Sequence, residues 1–328
     1  MAERDVVTGH LDEAGRALVG REVDRRGFLK CASWVGAGTI WTVSGGLVAA
    51  CGTALTGAGA GASPGAAATD GLFFVQISDS HIGFRGTANP DVLGSFTAAI
   101  AQVNALPQRP AFVVHTGDLT HTSTAEEFGT VKELLGTLRT PTVVVVPGEH
   151  DTVMGPRPYL DAFGAGTKGT GWSSFDLQGI HFIALNNVVD VTNLGHLGAE
   201  QLAFVERDVA GLGSDTPIVV FAHIPLWTID EAWGWGTDDA LQALSHLRRF
   251  ASVTVLNGHI HQVMSKIEGN VTFSTVTTTA YPLPAPGTAP APAPVTLPAG
   301  RLHDVLGIRE VRYRTRNRSF RLTDDHLR

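Results

Sequence analysis

Acidic and histidine side chains recur in this chain just beyond short apolar runs. Phe73-Phe74-Val75-Gln76-Ile77 leads into Asp79-Ser80-His81, and Phe112-Val113-Val114 leads into Gly117-Asp118. Residues 143–146 are all valine and pass through Pro147 into Gly148-Glu149-His150-Asp151. Ile218-Val219-Val220-Phe221 precedes Ala222-His223, and Val253-Thr254-Val255-Leu256 precedes Gly258-His259-Ile260-His261. Carboxylate oxygens and imidazole nitrogens together suit a hard-to-borderline divalent cation. Taken singly, each has an ordinary explanation: Asp79 caps a helix, Asp118 sits in a turn, His223 is a satisfied core histidine. As an ordered set they point to one metal-holding cleft.

Something must bring these groups together. The runs are short and mostly apolar, as in strands buried on both faces. Asn89-Pro90 opens a helix that carries Val92, Leu93, Phe96, Ile100 and Val103 at helical spacing, and residues 125–138 repeat the pattern with Phe128, Val131, Leu134, Leu135 and Leu138. Residues 198–209 form a third helix. Strand–helix alternation predicts a layered α/β domain, and in open α/β sheets ligands gather beyond the carboxyl ends of strands. Residues 174–177 and 181–185 read as a hairpin across Gln178-Gly179, and residues 271–279 as a further strand. Residues 309–322 read as a closing hairpin with alternating arginines on a solvated face. Residues 282–298, rich in Pro and Ala, form a loop. His115 and His121 either line the cleft or are a strand and a loop histidine. Trp227, Trp233 and Trp235 form either a wall facing substrate or a packed loop.

The ordered set resembles the signature of the calcineurin-like metallophosphoesterases, DxH, GD, GNH[DE], H and GHxH, from residue 72 to about residue 280. Gly117-Asp118-Leu119-Thr120 and Ala222-His223-Ile224-Pro225 resemble the branch acting on cyclic nucleotides and glycerophosphodiesters. The resemblance implies a two-sheet β-sandwich core flanked by helices, a four-layer αββα fold. It implies hydrolysis of a small phosphomonoester or phosphodiester by a metal-bridging hydroxide, with two ions of iron, manganese or zinc. Asp79, His81, Asp118 and His261 would hold the first ion. Asp118 would bridge to a second, held by Glu149, His223 and His259. His150, oriented by Asp151, would stabilise the transition state or protonate the leaving oxygen. The family usually has Asn where this chain has Glu149. Two divalent ions against Asp79, Asp118 and Glu149 leave one positive charge, where Asn leaves two. Either the anion tunes the site, or Glu149 swings away and the second site is weak. A non-catalytic or weakly active metal-binding protein on the same fold is the alternative function.

With 328 residues and 43% hydrophobic content, the chain holds one sizeable domain plus appendages. Its net charge of -7 argues against a nucleic-acid partner. Cys31 and Cys51 are the only cysteines, so no disulfide framework or CxxC site exists. Asp24-Arg25-Arg26-Gly27-Phe28-Leu29-Lys30, followed by a weakly apolar stretch to Ala50, resembles a twin-arginine export signal. An amphipathic helix or a membrane anchor are the rival readings. Leu47-Val48-Ala49-Ala50-Cys51 resembles a lipobox, against which stands an incidental cysteine. The expected organisation is an export signal over residues 1–51, a flexible Ala/Gly-rich tether over 52–71 and the phosphoesterase domain over 72–328. Its implied partners are the twin-arginine machinery and, if Cys51 is lipidated, the extracytoplasmic face of the membrane; the implied location is periplasmic or extracytoplasmic.

Overall fold

Strands that are apolar on both faces need cover on both faces, and the chain supplies it by stacking two mixed sheets between helices. The computed structural model describes Thr42–Val43 and residues 71–189 and 191–328. The expected export signal and tether therefore lie outside the described residues, apart from Thr42–Val43 and Gly71.

The five-stranded sheet runs β12-β11-β2-β3-β4, made of β2 (Phe73–Ile77), β3 (Val113–His115), β4 (Val143–Val145), β11 (Gly307–Arg314) and β12 (Ser319–His326). Its β2-β3-β4 part is parallel, and the closing hairpin adds to β2 antiparallel. The seven-stranded sheet runs β1-β9-β10-β8-β7-β6-β5, from β1 (Thr42–Val43), β5 (Ser173–Leu177), β6 (Ile180–Ala184), β7 (Ile218–Phe221), β8 (Val253–Asn257), β9 (Met264–Glu268) and β10 (Val271–Thr275). Its central strands β6, β7, β8 and β10 are parallel.

Alternation along each strand divides the core. Phe74 of β2 and Val219 and Phe221 of β7 meet Phe112, Phe182 and Leu256 between the sheets, with Phe74 stacked on Phe112 at 4.5 Å. Phe73, Val75 and Ile77 point the other way, onto α1 (Val92–Asn104) and α2 (Ala125–Leu135). Ile218 and Val220 likewise face α4 (Ala199–Val209) and α5 (Ala240–Leu247). A short α3 (Arg157–Phe163) packs beside α2. This is the four-layer αββα arrangement. Toward the carboxyl ends of the parallel strands the interior turns polar: Gln76, Thr116 and Asn257 are buried, with Gln76 donating to both.

Two expectations need correction. The last strand of the 271–279 segment ends at Thr275, because the following threonines bond back to the loop after β2: Thr278 Oγ1 donates to the Asp79 carbonyl and Thr279 N–H to that of Ser78. The closing hairpin is present, but its arginines do not form one solvated face. Arg309 is fully buried, donates from Nε and one terminal nitrogen to Asp324, and reaches Ser274 Oγ of the other sheet at 3.0 Å.

Candidate metal centre

Each of the seven side chains expected to hold metal follows a parallel strand. Asp79 and His81 follow β2, Asp118 follows β3, and Glu149 opens a single 3-10 turn (Glu149–Thr152) after β4. His223 follows β7, and His259 and His261 follow β8. Asp79, His81, Asp118, His259 and His261 all have φ between 42° and 71°, the left-handed region. Such backbone costs about 1–3 kcal/mol per residue and persists only where neighbours enforce it. Here they do: Asp79 N–H donates to Gly117 O and His81 N–H to Asp118 O, each at 3.0 Å. The turn at Glu149 also requires a glycine, since a Cβ on Gly148 would lie 2.1 Å from Asp118 Oδ1.

The loops converge. Asp118 Oδ2 lies 3.4 Å from His81 Nε2 and 3.4 Å from His223 Nε2, between the two expected ion positions. His261 Nε2 is 3.1 Å from His81 Nε2 and 3.5 Å from Asp79 Oδ1. Glu149 straddles two rings, with Oε2 3.0 Å from His223 Nε2 and Oε1 2.9 Å from His259 Nδ1. Asp79, His81 and His261 form one group with metal-ligand spacing, and Glu149, His223 and His259 another.

Main-chain carbonyls decide which ring nitrogens face inward. His223 Nδ1–H donates to Thr116 O at 2.7 Å and His261 Nδ1–H to Tyr281 O, leaving both Nε2 lone pairs toward the carboxylates. Asp79 Oδ2, Glu149 Oε2, His223 Nε2 and both nitrogens of His259 are buried without a hydrogen-bond partner of acceptable geometry, despite the close approach of Glu149 to the rings. Buried lone pairs left in this way fit divalent cations, and this donor set suits them.

The electrostatics agree. Burial pushes the Asp79 carboxyl up to about 7, His223 opposing and Asp118 reinforcing. Burial also disfavours charge on Glu149, but His259 and His223 outweigh it and hold the carboxyl well below its usual range. His223 rises well above 6.5 against its own burial, because Asp118 and Glu149 face it. Burial lowers His81, and lowers His261 to about 3.

His150 and Asp151 sit differently from expectation. Asp151 does not orient the His150 ring. It accepts from Leu119 N–H, Thr120 N–H, Thr120 Oγ1 and Gly148 N–H at 2.8–3.1 Å, pinning the loop after β3 to the loop after β4. The His150 ring is held by the His121 carbonyl, which accepts its Nδ1–H at 2.8 Å. The His150 N–H in turn donates to Asp118 Oδ1. Burial opposes protonation of His150, but Asp118 and Glu149 outweigh it and raise its pKa.

His115 is buried against Ser80 Oγ and is a strand histidine; His121 belongs to the site. Trp227 and Trp235 are packed in the core under α4 and α5, with Trp233 edge-on to Trp235, so they form a packed loop. The aromatic groups beside the first ligand group are instead Tyr281, whose ring lies 4.9 Å from both His81 and His261, and Phe84. Sequence reasoning missed Tyr281 and Thr116, since each acts through a carbonyl that leaves no signature in residue type. A groove of about 750 Å³ lined by Lys168, Trp172, Glu200, Phe204, Arg207 and Asp208 includes none of the seven residues expected to hold metal.

A family model described as calcineurin-like phosphoesterase matches residues 74–263. A glycerophosphodiester phosphodiesterase of Enterobacter lignolyticus is 26% identical over 65% of this chain and 79% of its own. A 3',5'-cyclic-nucleotide phosphodiesterase of Nostoc is 25% identical over 64% of this chain and 79% of its own. Among solved structures, a dimetal phosphatase from Danio rerio shares the fold with a TM-score of 0.59, at 14% identity over 79% of this chain and 97% of that one.

Proposed function

Because this chain belongs to the calcineurin-like phosphoesterase family, and is thereby a metal-dependent phosphoric ester hydrolase, we propose that it cleaves a small phosphodiester or phosphomonoester outside the cytoplasm. One observation carries the chemical half of the proposal. Three carboxylates and four imidazoles from five strand ends meet, and the nitrogens fixed by main-chain carbonyls leave their lone pairs facing the carboxylates.

Asp79, His81, Asp118 and His261 would hold one ion; Asp118, Glu149, His223 and His259 would hold the other. When bound, the two cations supply Lewis acidity, acidifying water and offsetting charge on the phosphoryl oxygens. The remaining work falls to the chain itself. His150 gives its Nδ1–H to the His121 carbonyl, so any second proton sits on Nε2, and Asp118 and Glu149 favour that protonation against the burial of the ring. That proton suits the oxygen of the departing alcohol. Asp151 keeps the two loops that carry Asp118 and His150 in register. Phosphodiesters are the first class to examine, since the Enterobacter and Nostoc relatives bear phosphodiesterase names.

The decisive assay uses protein stripped of metal and reloaded with manganese, zinc or ferrous iron, supplied with bis(4-nitrophenyl) phosphate and 4-nitrophenyl phosphate. Turnover that chelation removes and metal restores is expected. Two bound ions with no turnover on either ester would leave a metal-binding protein and overturn hydrolysis.

Location rests on Arg25-Arg26 and on the segment ending at Cys51. With both arginines replaced by lysine, the precursor is expected to stay in the cytoplasm, and Cys51→Ala is expected to leave the membrane fraction. Normal export of the double lysine variant would point to another route.

A further inference from the structure

His121 holds two other histidines of the site at once. Its N–H donates to Ile82 O at 2.9 Å, tying it to the loop that carries His81. Its ring Nδ1 lies 3.4 Å from His81 Nδ1. Its carbonyl accepts from His150 Nδ1 at 2.8 Å, and its ring stacks on that of His150 at 4.8 Å with 17° between the planes. His81 Nε2, on the other side of the ring, faces Asp118 and His261.

An imidazole that offers Nε2 to a cation carries its proton on Nδ1, and that N–H requires an acceptor to fix both tautomer and ring angle. Around His81 the acceptor in reach is His121 Nδ1. We infer that His121 is a positioning residue: its side chain accepts the His81 Nδ1–H and aims the His81 Nε2 lone pair at the first ion, while its carbonyl and ring face hold His150. The inference rests on the metal-dependent reading of the site. A half-buried loop histidine next to the Gly117-Asp118 motif thus serves both the metal and the acid group without touching either the ion or the reacting atoms.

The two roles separate by substitution. His121→Phe keeps the carbonyl and a ring to stack on His150 but removes the acceptor for His81. His121→Asn removes the ring but puts an amide oxygen near the place of Nδ1. Metal-free wild type and both variants are titrated with manganese by calorimetry. Wild type is expected to take two ions. His121→Phe should bind one of the two about 10–100-fold more weakly, and His121→Asn should stay within about threefold of wild type. If His121→Phe does not fold, His121→Ala carries the same expectation. Full affinity at both sites in the Phe or Ala variant overturns the role of His121 alone, as does equal weakening in the Asn variant. A wild-type chain that binds no ion overturns the metal reading and this inference with it.

Discussion

Replacing Glu149 with Asn would remove one negative charge from a cluster in which that charge faces two imidazoles, at 3.0 Å and 2.9 Å. A doubly charged phosphomonoester feels the change more than a singly charged diester. At about 5 Å the extra attraction is roughly 1–3 kcal/mol across the range of effective dielectrics, so the monoester-to-diester ratio of kcat/KM should rise at least about fivefold. Ion occupancy must be measured alongside, and an unchanged ratio at full occupancy would show that Glu149 is not an anionic ligand. A second consequence concerns protons. Burial raises Asp79 to about 7, and Asp118 and Glu149 raise His223 well above its usual value against its own burial, so protons compete with cations at both groups. Cations need both lone pairs, so loading should release protons near pH 7, and affinity should rise with pH. Calorimetry in buffers of different ionisation enthalpy counts them; zero release would contradict the charge arrangement. The ligand side chains are legible in the sequence because each stands beyond an apolar run, where strand ends deliver it. Asp151 is not, because its partners include main-chain N–H groups of a loop some 31 residues away.

Among the elements, the long apolar runs declare themselves and the short or mixed ones do not. Met264–Glu268 reads Met-Ser-Lys-Ile-Glu, with Ile267 exposed, and carries neither a run nor a clean alternation, although it pairs with β10 from Ser265 to Glu268. Arg157–Phe163 and Ala240–Leu247 are too short for a helical period to stand out. Arg309 shows the converse failure, an alternating arginine that tertiary packing buries. The hairpin lies over β10, so Arg309 spans from Asp324 to Ser274 across the two sheets. Truncation to Ala strips Asp324 of its bidentate partner and opens space between the sheets, which should cost about 3 kcal/mol. Exposed Arg314 on the same strand should cost under about 0.5 kcal/mol when cut to Ala. Urea unfolding of the two variants measures both. Equal losses would mean that Arg309 braces nothing.

At the scale of the whole molecule, the ligand set straddles the sandwich. Asp79, His81, Asp118 and Glu149 extend from the five-stranded sheet, and His223, His259 and His261 from the seven-stranded one. Ions held between them would bind the folded chain and have no matching site in the unfolded one, so occupancy adds directly to global stability. At a free concentration about 100 times Kd, each site contributes about 2.7 kcal/mol. For a domain of this size a kilocalorie moves the melting temperature by roughly 2–4 °C, so chelating both ions should lower it by about 10 °C or more. The architecture also predicts how substitutions divide that shift. Asp118 faces both groups, at 3.4 Å from His81 and 3.4 Å from His223, so Asp118→Asn should abolish most of the metal-dependent increment together with turnover. His261 lies beside His81 and Asp79, in the first group, and His261→Gln should remove about half of the increment, that of one ion. Melting curves with and without manganese, on wild type and both variants, give the comparison. Equal increments in all three would mean that the ions do not join the sheets, and would move the metal site away from these seven residues.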